Sequence, residues 1–418
     1  MDKLLVEKSL PLKGNVRVSG AKNSALPILA ASLLGTEDIV LEDVPELKDV
    51  GVMCQVLESL GARVEKLGKN TIKINSKNVN KYETKYELMS KMRASFLVMG
   101  PLLGRLGKTK NSLPGGCAIG TRPIDLHLKG FKALGADIDS DHGNISAYAE
   151  ELVGDRVYLD FPSVGATENI MMAAVLAKGE TSLDNAAMEP EIVDLANFLN
   201  KLGADIRGAG TSTIRIRGVE KLGGGKHRII PDRIEAGTFM VAAAITGGDI
   251  VVENVITNHI KPVIAKLEEA GCDIQVNADK VRVKARKRPR AIDIKTMPYP
   301  GFPTDMQSQF MALMSVSEGT SVCIETVFEN RFMHVDELKR MGADIKIDGR
   351  SAIIYGVEDL TAAPVKATDL RAGAALVLAG LVSEGVTEIR DIDHIDRGYE
   401  NIEDKFRALG GKVSRVKA

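Results

Sequence analysis

The sequence is poor in the residues that usually mark nucleic-acid-binding proteins. Its 418 residues contain no tryptophan and only 4% aromatic residues, so it offers few platforms on which single-stranded bases could stack. Lys and Arg total 55 against 56 Asp and Glu, which gives a net charge of −1. Such a chain has no overall positive electrostatic field that would attract nucleic acid or an acidic membrane. The basic run at 284–290 is either a nucleic-acid patch or a solvated turn between strands, and composition favours the turn. We expect neither nucleic acid nor membrane as a partner.

Disulfide, metal and cofactor signatures are also missing. The cysteines, at positions 54, 117, 272 and 323, and the six histidines are scattered without paired spacing, which argues against a disulfide framework and a metal site. A glycine-rich segment at 104–109 lacks the first glycine of a P-loop, and another at 208–213 lacks the third glycine of a dinucleotide site. The longest apolar runs are too short to span a bilayer, and the first residues do not resemble a secretion signal. We expect a cytoplasmic protein with no metal and no cofactor.

What the chain does contain is a repeat. The phrase Leu-Gly-Ala occurs at 60–62, 134–136 and 202–204, with looser copies at 270–272, 341–343 and 409–411. A second glycine recurs between these copies, and its positions are Gly35, Gly107, Gly179, Gly247, Gly319 and Gly385. Each phrase closes an amphipathic segment and precedes a β-type stretch, so its glycine is expected to cap a helix in the left-handed conformation. The spacing predicts six repeats of roughly 70 residues.

Two kinds of helix alternate in these repeats. The segments at 170–177 and 239–245 are apolar on every side, as is typical of helices in an interior, whereas the intervening helices have one polar face. A chain of this length usually forms more than one hydrophobic core. We therefore predict an α/β fold of two domains with three repeats each, in which buried central helices are surrounded by sheets and outer helices.

Polar and charged residues stand at the starts of the apolar helices. They are Lys22, Asn23, Arg93, Ser163, Asp232, Thr304, Asp305, Asp369 and Arg371. Helix N-termini offer free N–H groups and positive potential, and with Arg122 and Arg397 they predict a pocket for phosphates and carboxylates. The alternative is that Ser163, Thr304 and Asp369 are ordinary N-caps, that Asp305 caps or pairs with an arginine, and that the cations form surface ion pairs.

The Pro/Gly-rich loop at 113–127 carries Cys117, followed by Arg122 and Pro123. Glycine allows backbone to approach a ligand closely, and a nearby cation or helix N-terminus favours the thiolate. The alternative is an inert buried thiol, although a glycine loop flanked by charge is a poor apolar niche. Because this turn is longer than its counterpart in the first repeat, we predict a lid that carries a reactive cysteine.

The motifs at 19–23, 91–95, 113–127, 302–307, 325–334, 367–371 and 394–400 resemble those of the UDP-N-acetylglucosamine 1-carboxyvinyltransferase family of enolpyruvyl transferases. The resemblance covers essentially the whole chain. It implies a two-domain inverted α/β barrel, in which residues 1–21 and 230–418 form one domain and residues 22–229 the other. It also implies an active site in the cleft between the domains.

The resemblance implies transfer of the enolpyruvyl group from phosphoenolpyruvate to the 3-hydroxyl of UDP-N-acetylglucosamine, the first committed step of peptidoglycan synthesis. Cys117 matches the residue that protonates the enol carbon and can carry a covalent phosphothioketal adduct. Asp305 matches the base for the sugar hydroxyl, with Asp369 beside it, and Lys22 and Arg397 join the catalytic set. The partners implied are these two small molecules, and the sequence indicates no protein partner.

The binding residues also follow from the resemblance. Those that match phosphoenolpyruvate contacts are Lys22, Asn23, Arg122, Arg331, Arg371 and Arg397. Those that match UDP-N-acetylglucosamine contacts are Asn23, Arg93, Arg122, Pro123, Ile124, Asp125, Leu126, Ser163, Val164, Gly165, Asp305 and Val327. In one place the chain departs from the pattern, because it has Phe161 where some members carry a basic residue.

Two other functions remain open. One is transfer of the same enolpyruvyl group to shikimate 3-phosphate by the sibling enzyme of this fold, but the Cys117 loop favours the nucleotide sugar. The other is a catalytically silent paralogue that binds a nucleotide sugar. The presence of Lys22, Cys117, Asp305 and Arg397 argues against a silent protein.

Overall fold

The structure is a computed structural model that describes residues 2–90, 92–112, 124–141 and 143–417. Within these ranges the chain divides into two compact units. The first unit comprises residues 2–19 and 231–417, and the second comprises 20–112 and 124–230 with residues 91 and 142 left out. Each unit has its own cluster of buried apolar side chains.

The first unit begins with strands β1 (Asp2–Glu7) and β2 (Lys13–Arg17), after which the chain enters the second unit. The second unit has helices α1 (Lys22–Ala31), α2 (Lys48–Leu60), α3 (Tyr86–Met89), α4 (Met99–Leu106), α5 (Asp125–Ala133), α6 (Val164–Ala174) and α7 (Pro190–Lys201). Its strands are β3 (Asp38–Glu42), β4 (Arg63–Gly68), β5 (Thr71–Asn75), β6 (Lys108–Ser112), β7 (Asp137–Asp141), β8 (Asn144–Tyr148), β9 (Arg156–Tyr158), β10 (Glu180–Asp184), β11 (Asp205–Arg207), β12 (Thr213–Arg217) and β13 (Gly225–Arg228).

The remainder of the first unit follows. Its helices are α8 (Arg233–Thr246), α9 (Lys261–Glu269), α10 (Gln307–Ser315), α11 (Val335–Arg340), α12 (Leu370–Gly380), α13 (Asp393–Asp396) and α14 (Ile402–Ala408). Its strands are β14 (Asp249–Glu253), β15 (Asp273–Val276), β16 (Lys280–Lys284), β17 (Ile294–Lys295), β18 (Thr320–Ile324), β19 (Asp344–Asp348), β20 (Ser351–Tyr355), β21 (Pro364–Lys366), β22 (Val386–Arg390) and β23 (Lys412–Lys417). Short 3₁₀ helices span Ser32–Leu34, Arg93–Val98, Thr257–Ile260 and Thr304–Met306.

The described strands form six small sheets, one for each predicted repeat. In a typical repeat, two parallel strands enclose a central helix, as β9 and β10 enclose α6, and two antiparallel strands complete the sheet. The first and fourth repeats differ from this pattern, because the strands before and after their central helices, α1 and α8, do not pair with each other. Each sheet instead takes the first strand of the other repeat. Strand β2 pairs in parallel with β14, and β13 pairs in parallel with β3. The pairing of β2 with β14 joins the two chain segments of the first unit, which is discontinuous in sequence.

The apolar helices are buried as predicted. In α6, α8, α10 and α12 almost every residue lies in the interior, and α1 is buried except for Asn23. Helix α10 packs against both α12 and α8 within the first unit. In α4, the central helix of the second repeat, residues 99–103 are buried. The prediction of six repeats with buried central helices is therefore confirmed.

The glycines of the repeated phrase adopt the left-handed conformation expected of helix caps. Gly61 has φ 106° and Gly203 has φ 110°, and the other four copies also have positive φ. An L-residue is strained in this conformation, which accounts for the recurrence of glycine. In the second glycine series Gly35 is an exception, because its backbone is extended, with φ −74° and ψ 145°.

The basic run at 284–290 begins at the last residue of strand β16 and continues into the loop that follows. Arg288 donates hydrogen bonds to the backbone oxygens of Val316, Ser317 and Val357, so part of the run ties loops of the first unit together. Among the helices that the structure describes, none is both long and apolar enough to cross a bilayer.

Candidate active site

Asp305 lies between two buried arginines of the first unit. Its Oδ1 accepts a hydrogen bond from Arg331 Nη2 at 3.0 Å, and its Oδ2 accepts from Arg371 Nη2 at 3.0 Å and Nε at 3.2 Å. The arginine side chains are 4% and 2% exposed, whereas that of Asp305 is 26% exposed. The alternative that Asp305 pairs with an arginine therefore holds, and it holds for two arginines. Two guanidinium groups around one carboxylate leave positive charge for an anionic ligand.

The N-cap alternative holds for some of the predicted site residues. Asp369 caps α12, since its Oδ1 accepts from the backbone N of Arg371 at 2.8 Å and of Ala372 at 3.1 Å. Ser163 caps α6 through the N of Ala166 at 3.3 Å. Thr304 is different, because it opens the 3₁₀ helix Thr304–Met306 without a side-chain capping hydrogen bond, and its hydroxyl donates to Glu325 instead. Asp369 therefore orients the turn that carries Arg371.

Arg397 is half-buried and directly follows the short helix α13. The next residue, Gly398, packs so closely on Leu370 that a Cβ there would lie 2.3 Å from Leu370 Cδ1. Ile395 similarly contacts Gly373 of α12. These contacts fix the Arg397 segment beside the N-terminal turn of α12, where Arg371 also lies.

Glu325 is a buried carboxylate for which no local pattern in the sequence indicates a role. It is 1% exposed, and its Oε1 accepts from the backbone N of Val327 at 2.8 Å and of Phe328 at 3.1 Å. Its Oε2 accepts from the Thr304 hydroxyl at 2.9 Å. One buried carboxylate thus joins the Val327 segment to the segment that carries Asp305. In the sequence it is an ordinary acidic residue at the end of a strand.

Lys22 opens α1 in the second unit, and its ammonium contacts Asp49 Oδ2 at 2.7 Å. The two side chains are 10% and 4% exposed, so the alternative of a surface ion pair is wrong for Lys22. Asn23, the next residue, is exposed. Asp49 was not predicted, because an acidic residue in the first turn of a helix usually needs no other explanation.

Two segments predicted to contact the nucleotide sugar lie side by side in the second unit. Ile124, Asp125 and Leu126 form the start of α5, and Ser163, Val164 and Gly165 form the start of α6. A Cβ on Gly165 would lie 3.3 Å from His127 Cε1, and the His127 ring is hydrogen-bonded to Asn169 of α6 at 3.0 Å. The glycine permits the close approach of the two helix starts.

The departure from the family pattern lies next to this pair of helix starts. Phe161 is 46% exposed. Beside it, Asp160 Oδ2 lies 2.8 Å from the ammonium of Lys129, which belongs to α5. A lysine from a neighbouring helix therefore places a cation beside Phe161, the position where the resemblance implies a basic residue in some family members.

Cys117, Arg122 and Pro123 lie outside the described residues, and so does the side chain of Arg93. Among the residues that are described, no group of His, Cys, Asp and Glu side chains could hold a metal ion.

Comparison with known proteins gives consistent matches over the full length. A family model described as EPSP synthase (3-phosphoshikimate 1-carboxyvinyltransferase) matches residues 6–406. The UDP-N-acetylglucosamine 1-carboxyvinyltransferase 1 of Caldanaerobacter subterraneus subsp. tengcongensis is 66% identical over 414 residues, 99% of each chain. The UDP-N-acetylglucosamine 1-carboxyvinyltransferase of Finegoldia magna is 64% identical over 100% of this chain and 99% of its own.

Solved structures agree in fold. The enolpyruvyl transferase NikO from Streptomyces tendae superimposes with a TM-score of 0.90 at 25% identity, over 100% of this chain and 99% of its own. EPSP synthase from Acinetobacter baumannii superimposes with a TM-score of 0.78 at 19% identity over the whole of both chains. The second likeness concerns the fold alone.

Proposed function

Since the chain belongs to the UDP-N-acetylglucosamine 1-carboxyvinyltransferase family, we propose that it transfers the enolpyruvyl group of phosphoenolpyruvate to the 3-hydroxyl of UDP-N-acetylglucosamine and releases phosphate. The observation that carries this proposal is the 66% identity to a named relative over 99% of both chains. The product would enter peptidoglycan synthesis. Because phosphoenolpyruvate is a metabolite of the cytoplasm, we place the enzyme there.

The chemistry needs an acid on one side of the enol double bond and a base on the other. We assign Cys117 as the group that protonates the enol carbon and can carry the covalent adduct. Asp305 takes the proton of the sugar hydroxyl as its oxygen attacks, with Asp369 positioning the turn beside it. The addition joins the sugar oxygen to C2 of phosphoenolpyruvate. Elimination then breaks the bond from C2 to the phosphate oxygen while C3 returns its added proton to the Cys117 thiolate, which restores the double bond, and the proton held by Asp305 leaves with the phosphate.

Fixed cations stabilise the charges of the substrate and of the leaving phosphate. We assign Lys22, Arg122, Arg331, Arg371 and Arg397 to the phosphate and carboxylate of phosphoenolpyruvate. The burial of Arg331 and Arg371 supports this assignment, because cations held in place in a water-poor site need little reorganisation during the reaction. For the nucleotide sugar, the adjacent starts of α5 and α6 support the predicted contacts of the second unit.

The test is phosphate release from phosphoenolpyruvate, measured separately with UDP-N-acetylglucosamine, with shikimate 3-phosphate and without acceptor. We expect release with UDP-N-acetylglucosamine, and a loss of roughly 10²- to 10⁴-fold in Asp305→Asn. Release with shikimate 3-phosphate instead would identify the sibling activity. Binding of the nucleotide sugar without release by either acceptor would identify a silent paralogue and overturn the proposal.

A further inference from the structure

Behind the Asp305–Arg371 pair, the first unit buries a small group of polar side chains. Tyr399 is 2% exposed, and its hydroxyl lies 2.9 Å from Thr238 Oγ1 of α8 and 3.3 Å from Gln309 Nε2 of α10. Thr238 donates its own proton to the backbone oxygen of Ile234 at 2.8 Å. The Tyr399 hydroxyl must therefore donate to Thr238 and accept from Gln309.

Gln309 connects this group to the backbone of Asp305. Its side chain is completely buried, and its Nε2 donates to the Asp305 carbonyl oxygen at 3.0 Å. Its Oε1 accepts from the Ser308 hydroxyl at 2.9 Å. Because both ends of the amide have partners, the side chain is held in one orientation, and the carbonyl of Asp305 is held with it.

Tyr399 also contacts the arginine that holds the Asp305 carboxylate. The centre of its ring lies 5.5 Å from the guanidinium carbon of Arg371. Burial by itself lowers the pKa of Arg371, but Asp305 first and Tyr399 next outweigh it and raise that pKa above its usual value. Tyr399 thus acts on Asp305 in two ways, through Arg371 at the carboxylate and through Gln309 at the backbone.

We propose that Tyr399 and Gln309 are positioning residues for Asp305, which fix its carboxylate in the orientation that accepts the proton of the sugar hydroxyl. This inference rests on the proposed function. Proton transfer needs the base within hydrogen-bond reach of the hydroxyl, so a small displacement of the carboxylate is costly. Gln309 comes from α10 and Tyr399 from the loop after α13, and both are hydrogen-bonded to Thr238 of α8, Tyr399 at 2.9 Å and Gln309 Nε2 at 3.2 Å.

The kinetic test compares Tyr399→Phe and Gln309→Met with the wild type. Tyr399→Phe keeps the ring and removes the hydroxyl. We expect kcat to fall about tenfold while the KM of each substrate stays within about twofold. The acidic limb of the kcat/KM profile should move to higher pH. Without the hydroxyl's hydrogen bonds to Thr238 and Gln309 the ring is no longer fixed against Arg371, and a displaced guanidinium favours the ionised carboxylate less. Since both residues act on one carboxylate, the double variant should lose less than the product of the two single losses.

Ser315→Ala is the matched control, since Ser315 is a buried hydroxyl of α10 that donates to the Met311 oxygen of its own helix at 2.8 Å. It should leave kcat and the pH profile unchanged. The inference is wrong if Tyr399→Phe and Gln309→Met lose thermal stability but keep the kcat and pH profile of the wild type. It is also wrong if KM alone rises.

A second measurement does not depend on activity. The Arg371 Nε–H donates to Asp305, so its signal in protein labelled with ¹⁵N-arginine, assigned with Arg371→Lys, should exchange slowly with solvent. We expect exchange at least tenfold faster in Tyr399→Phe, or in Gln309→Met if the tyrosine variant does not fold. Unchanged exchange overturns the inference. A wild type that releases no phosphate overturns the proposed function instead, and leaves this measurement to decide the role of Tyr399.

Discussion

At the scale of single residues, the described cysteines are poor nucleophiles. Burial raises the pKa of Cys54 and of Cys272 to about 11, and it raises the pKa of Cys323 far above the usual value. The thiolate is the reactive form, so at pH 7 only about one in ten thousand of the Cys54 or Cys272 thiols is ionised. A thiol reagent has little reason to select any of these three.

We therefore expect an epoxide phosphonate such as fosfomycin to alkylate Cys117 selectively. Mass spectrometry of the digested protein should place the adduct on Cys117, and Cys117→Ser should lose most of its turnover. Cys117→Asp should stay active and resist the reagent, since a carboxylic acid also donates a proton. A less selective thiol reagent applied to the unfolded protein is the control, because it should reach all four cysteines. An adduct on Cys54, Cys272 or Cys323 in the folded protein contradicts the assignment.

Lys129 provides a second test at this scale. Its pair with Asp160 is mostly solvated, with side chains 45% and 68% exposed, so the pair contributes little stability and the ammonium is available to a ligand. We expect Lys129→Ala to raise the KM for UDP-N-acetylglucosamine about fivefold and to leave the KM for phosphoenolpyruvate unchanged. Lys132→Ala, which changes an exposed lysine of the same helix, should alter neither. Equal effects of the two variants would exclude a specific role for Lys129.

At the scale of elements, a buried carboxylate fixes the helix that begins with Lys22. Asp194 of α7 accepts through Oδ2 from the Ser24 hydroxyl and from the backbone N of Ile230, and through Oδ1 from His227 Nε2 at 2.9 Å. Lys201 donates to the other ring nitrogen of His227 at 3.2 Å, which leaves the Nε2 proton for Asp194. The start of α1 is thereby tied to α7 and to β13.

Asp194→Asn should loosen this helix start. The amide brings a donor to a buried position where every partner already donates, which we expect to lower the free energy of unfolding by about 3 kcal/mol. Displacement of Lys22 should also raise the KM for phosphoenolpyruvate several-fold. Chemical unfolding and steady-state kinetics measure the two effects. Asp205→Asn, which changes a half-exposed carboxylate of the same unit that pairs with Arg207, should stay within about 0.5 kcal/mol of the wild type. If both variants match the wild type, Asp194 does not hold α1.

Elements with a local cause were predictable, whereas elements that depend on distant contacts were not. The burial of α8 and the left-handed Gly61 follow from nearby residues, since an all-apolar helix needs an interior and a helix end needs a cap. The exchange of β2 and β13 between sheets involves partners more than 180 residues apart, and no local pattern specifies it. Sequence patterns identified Asp305 at a helix start, but its supports Glu325 and Tyr399 act through long-range hydrogen bonds.

At the scale of the whole molecule, three buried titratable groups influence the response to acid. Burial raises the pKa of Glu168, with Glu191 and Glu189 adding to the effect, and burial also raises the pKa of Glu235. For these carboxyl groups the folded state takes up protons more readily than the unfolded state, so they favour the folded protein as the pH falls. His334, at the start of α11, acts in the opposite direction.

Burial lowers the pKa of His334 to about 4, with the Asp369 carboxylate opposing the shift and the Arg331 guanidinium reinforcing it. Among the described residues neither ring nitrogen has a hydrogen-bond partner. Between its usual value of 6.5 and about 4, the unfolded state binds a proton that the folded state does not. The contribution of His334 is therefore complete above about pH 6.5 and is lost as the pH falls to about 4, a change of roughly 3 kcal/mol.

We expect His334→Gln to remove this part of the acid sensitivity. Chemical unfolding at a series of pH values from 7 to 4 should show the wild type losing roughly 3 kcal/mol more than the variant. The comparison cancels Glu168 and Glu235, because both proteins contain them. His394→Gln, which changes a half-buried histidine of the same unit, should follow the wild-type curve. Parallel curves for the wild type and His334→Gln would mean that the imidazole is protonated at nearly the same pH in the folded and unfolded states, and the loss of stability in acid would then arise elsewhere in the molecule.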